Sequence, residues 1–154
     1  MKNRDIYSVA LCLLAEPDET LRLEDYASRA PYLLGGFYYE NEAFDRKYRE
    51  FSGLGERTEA LSMPPSIDGE FPLCQRFLTA ASSYLASMLV CDSDSELSDR
   101  LLGMCETSLE NIRAEMSSAL NGADGGNTDL PTDGAPSQVC GESHGIVNVY
   151  GNIT

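Results

Sequence analysis

The longest run of apolar residues at helical spacing lies between Ser66 and Cys91. Leu73, Phe77, Ala80, Ala81, Tyr84, Leu85, Met88 and Leu89 fall on one side of a 3.6-residue repeat. Asp68 is the expected N-cap of this central helix and Pro72 its first turn, where a missing N–H forfeits no intrahelical bond. The opposite side carries Thr79, Ser82, Ser83, Ala86 and Ser87. Side chains this small let another backbone come close, so the central helix is expected to lie between others.

Three further helical patterns flank it. Ile6, Val9, Ala10, Leu13 and Leu14 predict a first helix over residues 4 to 16, with Asn3 or Asp5 near its start and Pro17 past its end. A second pattern runs through Tyr26, Ala27, Ala30, Leu33, Leu34, Phe37 and Tyr38, and extends to Phe44, Tyr48 and Phe51. Pro31 predicts a kink or a restart in it, and Gly35-Gly36 a soft point. Residues 52 to 69 hold too many glycines and prolines for a regular element and read as a long connection, a feature that is often functional in a small domain. Ser93-Asp-Ser-Glu96 reads as a capping box opening a last helix, whose stripe of Leu97, Leu101, Cys105, Leu109, Ile112 and Met116 runs to about Leu120 before Asn121-Gly122.

The pattern stops there. Residues 121 to 154 are rich in Gly, Asp and Pro and contain neither Lys nor Arg. So few large apolar groups cannot offset the ordering entropy, and this tail is expected to order only on assembly. Its end differs: Ile146, Val147, Val149, Tyr150 and Ile153 form a β-prone patch, expected to bind a neighbouring subunit by strand addition. The expectation is therefore one all-α domain over residues 1 to 120, a small bundle of four to five helices with a long loop, followed by an extended tail able to form a strand.

Charge narrows the function classes. Of the net charge of −14, the tail's four acidic residues account for −4 and residues 1 to 120 for −10. Affinity for phosphates rests on cations and counterion release, so nucleic acid and anionic membrane are disfavoured as partners. Arg46, Lys47 and Arg49 cluster, but Glu40, Glu42, Asp45 and Glu50 interleave with them, which predicts a solvated, paired helix face. No run approaches the roughly 18 apolar residues of a membrane span. The basic start and short apolar run of residues 6 to 15 do not make a signal peptide, since Asp5 and Tyr7 interrupt them and the spacing is helical.

Catalysis needs a nucleophile with a base, paired carboxylates in a pocket, or a metal cluster. Cys12, Cys74, Cys91, Cys105 and Cys140 show no CxxC pair and are expected to be reduced, mostly inside helices. The single histidine, His144, lies in the tail with no orienting group beside it. Asp92-Ser-Asp94-Ser-Glu96 begins like a calcium loop, but Leu97 stands where an EF-hand needs glycine. No catalytic residue, cofactor or metal is predicted.

Whole segments add a resemblance. Asp5-Ile-Tyr-Ser-Val-Ala-Leu-Cys-Leu-Leu14, Asp25-Tyr26 with Arg29-Ala-Pro-Tyr-Leu-Leu34, Asp68-Gly-Glu-Phe-Pro-Leu73 with Tyr84-Leu-Ala-Ser-Met-Leu89, and Glu96-Leu-Ser-Asp99 resemble the head-to-tail connectors, also called adaptors or head-completion proteins, of tailed phages and prophages of gut Firmicutes. The resemblance spans about residues 4 to 118, rests on no single motif, and leaves the tail out. It implies a virion protein of the neck, made in the bacterial cytoplasm, that forms a ring of about twelve copies below the portal. Such a ring binds the portal protein and a tail or neck component and lets DNA pass without specific binding. The alternative is a small helical adaptor or regulatory module that binds one protein partner through its second helix.

Overall fold

A computed structural model describes residues 1–15, 20–57 and 60–122. They fold as four α-helices and one 3-10 turn with no β-strand among them, as the all-α expectation requires: α1 is Asn3–Leu14, α2 Thr20–Ser52, the 3-10 turn Gln75–Phe77, α3 Leu78–Val90 and α4 Ser95–Gly122. The chain from 123 onward lies outside the described residues.

The central position of α3 follows from its small residues. It packs against α1, α2 and most extensively α4, and no other pair of helices shares a comparable contact. Ala80, Ala81, Ser82, Ser83, Leu85, Ala86, Ser87, Leu89 and Val90 are all buried, so the helix is enclosed on nearly every side. Ser87 Oγ lies 2.9 Å from the Ser98 carbonyl, and Ser98 Oγ donates to the Ser87 carbonyl at 3.1 Å. This reciprocal pair satisfies buried hydroxyls at the closest approach of α3 and α4. Phe77 closes the other end, edge-on to Phe44 at 5.2 Å and to Tyr48 at 6.1 Å between ring centroids.

Several local expectations need correction. Neither Asp68 nor Pro72 starts the central helix, which begins ten residues after Asp68. Asp68 is drawn away by Arg4, whose Nε donates to it at 2.7 Å. The last helix is capped by Asp94, which accepts from the Leu97 N–H at 2.9 Å; the proposed cap, Ser93, instead donates its hydroxyl to the Val90 carbonyl at the end of α3. Val9 is exposed, because α1 buries only the narrow stripe of Ile6, Ala10 and Leu14; Tyr84 and Met88 are only half-buried, because α3 has neighbours on several sides and its apolar stripe is not its sole core face.

Helix α2 runs unbroken through Pro31 for 33 residues, so there is no restart. The carbonyl that loses its donor belongs to Ala27, an exposed residue, where water can take the bond. Gly35 is a site of close approach: a Cβ there would stand 2.7 Å from Met63 Sδ and 3.1 Å from Pro65 Cδ. The missing side chain lets the long connection lie directly on α2.

Two substitutions in α3 and its lead-in should separate packing from polarity. Phe77→Ala is expected to lower unfolding free energy by about 3–5 kcal/mol in urea melts. Ser83→Ala should be neutral or stabilising by the same measurement, because the buried Ser83 hydroxyl makes no hydrogen bond.

Candidate functional site

Asp45 and Arg49 stand four residues apart on α2 and therefore share a face. That face is covered, and Asp45 is only 2% exposed. Its Oδ2 accepts from Arg49 Nε at 2.8 Å, and its Oδ1 accepts from the Cys74 backbone N–H at 2.6 Å. Arg49 continues to the Pro72 carbonyl at 3.2 Å. One ion pair thus fastens the end of the long connection, just before the 3-10 turn, to the middle of the domain. The expected solvated basic face is corrected here: Arg49 is half-buried and structural, whereas Arg46 and Lys47 are exposed and form no ion pair among the described residues.

A second anchor holds the connection near Ser66. Asn3, 1% exposed, donates its backbone N–H to the Gly69 carbonyl at 2.9 Å and its side-chain amide to the Ser66 carbonyl at 2.7 Å. Its Oδ1 accepts from the Tyr38 hydroxyl at 2.7 Å. Burial pushes the Tyr38 phenol far up, so it keeps the proton it donates. Lys2 pairs with Glu70 in an isolated antiparallel bridge, and the Phe71 N–H donates to the Met1 carbonyl at 2.8 Å. Arg4 adds the exposed pair to Asp68, and its hydrogen bond first of all holds that carboxyl below its ordinary value.

Ahead of these anchors the connection crosses the surface of α2, where Met63 and Pro65 lie against Gly35. Gly53 and Gly55 take positive φ, 67° and 73°, and turn the chain back from the helix end. Arg57 then donates to Glu42 at 2.7 Å. Under this path lies a cavity of about 660 Å³ walled by Glu42, Asp45, Arg49, Glu56 and Arg57 among others. A neighbouring one of about 520 Å³ shares Arg49, Glu56 and Arg57 with it and reaches Asn3 and Tyr38. In their walls Asp45 is engaged with Arg49 and Glu42 with Arg57, pairs that fasten the segment to α2. Outward, the segment shows the large apolar side chains of Leu54 and Met63, each 56% exposed, among exposed polar residues such as Glu56, Ser62 and Ser66.

Most residues singled out for chemistry lie elsewhere. Ile146, Val147, Val149, Tyr150 and Ile153, the predicted protein-binding patch, fall outside the described residues, as do His144 and Cys140. Among the described residues no group of three or more His, Cys, Asp or Glu side chains is placed to hold a metal ion, and Asp94 is occupied as a helix cap. Cys12, Cys74, Cys91 and Cys105 are free thiols; Cys12 is exposed, and burial pushes Cys105 up to about 11. No helix of the described residues is long and apolar enough to cross a membrane.

No protein-family model, no curated protein and no solved structure matches this chain.

Removing the buried carboxylate should free the connection. Asp45→Ala is expected to cost about 3 kcal/mol in urea unfolding, at the lower end for a broken buried pair because Arg49 keeps some access to water. The same variant should be cut faster within residues 53 to 72 under limited proteolysis. The Arg4 pair carries a pH signature. A carboxylate held low in the folded state stabilises the fold above its ordinary pKa of 3.8 and releases that contribution as pH falls through the lowered one. Between about pH 5 and pH 3 the urea midpoint of the unaltered chain should therefore fall more steeply than that of Asp68→Asn.

Proposed function

We propose that this protein is a structural subunit of the head-to-tail connector type, whose long connection is a preordered contact surface for the portal or a neck component. One observation carries the reading: the connection is bound down through Asn3, Glu42 and Asp45, while Leu54 and Met63 stay more than half exposed. A loop that serves only to join two helices has no need of buried polar anchors along its length. A contact segment does, because fixing it beforehand removes ordering entropy from the binding step. The resemblance of residues 4 to 118 to connector proteins supplies the partner class, and the acidic surface suits a channel through which DNA slides, since a cationic lining would retain phosphates.

A second reading, a small adaptor for a single protein partner, draws on Tyr32 and Tyr39, which stand 67% and 71% exposed on α2. Mass in solution with a portal protein separates the two. The connector reading expects a ring-sized complex with the portal, lost in Leu54→Asp/Met63→Asp while the circular dichroism stays unchanged. A chain that never associates with a portal protein, or whose complex survives the double change, sinks it.

A further inference from the structure

The outer stripe of α2 carries a pattern the connector reading does not use. Tyr32 and Tyr39 are seven residues apart and both exposed. Two turns before the first come Glu24 and Asp25, and two turns after the second come Arg46 and Lys47, all four exposed. Each of the pairs Tyr32 with Tyr39, Asp25 with Arg46, and Glu24 with Lys47 is centred on the Gly35-Gly36 peptide. The exposed small residues Ser28 and Ala43 share that centre. Along the stripe, Glu24 and Asp25 make one end of α2 acidic and the middle is apolar, while the other end is basic at Arg46 and Lys47 with the exposed Glu50 one turn beyond them.

A helix with this arrangement is complementary to itself turned end over end. In an antiparallel pair, Glu24 and Asp25 of one copy meet Lys47 and Arg46 of the other, twice, and each Tyr32 meets a Tyr39. Over the roughly 35 Å between residues 24 and 47, the four charges Glu24, Asp25, Arg46 and Lys47 each face an opposite. At the centre, the Met63 tip rests on Gly35, so the middle of the stripe offers a thioether between the two tyrosines. A parallel pair would instead set acid on acid and base on base. Among the described residues, the competing ion pair is the loose Asp25 to Arg29 contact at 3.4 Å.

We propose that α2 binds the same stripe of a second copy of this chain, antiparallel, about a two-fold axis at Gly35-Gly36. Such a pair closes on itself, whereas ring neighbours use two different patches, so it does not rest on the connector reading, although Met63 borders both contacts.

Sedimentation of the full chain across a concentration series tests it. The unaltered protein should reach the mass of two chains. Arg46→Glu/Lys47→Glu should weaken the dissociation constant by about tenfold or more, and adding Glu24→Lys/Asp25→Lys to that variant should restore it, because both ends of the stripe are then exchanged. Tyr32→Ser/Tyr39→Ser should leave a single chain with unchanged helical content. A single chain at every concentration overturns the proposal. So does an oligomer indifferent to the charge reversal, or a reversal that the fourfold variant fails to rescue.

Discussion

A carboxylate at 2% exposure is the constraint on which this domain is arranged. Withdrawing an ion of that size from water costs several kcal/mol even after the protein relaxes. Asp45 recovers it through two short bonds, one to a guanidinium and one to a backbone N–H. Neither partner is replaceable by water at that depth, so the carboxylate demands that Arg49 and Cys74 stay in place. Holding Cys74 fixes the lead into the 3-10 turn, and three residues later that turn delivers Phe77, fully buried, against Phe44 and Tyr48. A polar requirement on α2 thereby sets the start of α3.

The central helix shows the complementary case, where polar groups are buried at little expense. Serines are nearly as small as alanine, so α3 can meet three neighbours closely without leaving voids. Ser87 and Ser98 settle their hydroxyls on each other's carbonyls, and Ser82 on the carbonyl of Leu78 within its own helix. Asn3 does the same for the connection, using its backbone N–H and both ends of its side-chain amide on Gly69, Ser66 and Tyr38. The two ends of the long segment are therefore held by directional bonds, and its middle by shape, through Met63 and Pro65 on the bare backbone of Gly35. Bonds of that kind specify a single position, which apolar packing alone does more loosely.

How much of this could be read from the chain depends on whether the signal was periodic. The helices were legible because apolar spacing is imposed by the helix itself, and the small face of α3 correctly announced close neighbours. What escaped was long-range and polar. Asn3 looked like a helix cap and Asp45 like one member of a solvated i, i+4 pair, because nothing local distinguishes a carboxylate that faces water from one that a distant loop will cover. Asp68 had the position of a cap, yet Arg4, 64 residues away, claims it. Gly35 read as a weak point for the same reason: its contact partner, Met63, lies 28 residues on and joins it only in the folded chain. The candidate contact segment of residues 52 to 69 was visible as a length without regular structure, but not the anchors that fix it.

Net charge and local charge pull in opposite directions for a protein like this one. Two copies at −14 each repel at a distance, and that repulsion favours solubility over contact. Its reach is limited, since salt at physiological strength screens exposed charges beyond about 8 Å. Inside that distance only the groups on the facing surfaces count, and on α2 Glu24 and Asp25 stand at one end of the stripe and Arg46 and Lys47 at the other. The acidic excess resides instead on other faces, in residues such as Glu106, Glu110 and Asp99 on the exposed side of α4. An acidic chain with one sign-divided helix is thus repelled in most orientations and attracted in one, which makes charge a selector of geometry here more than a source of affinity.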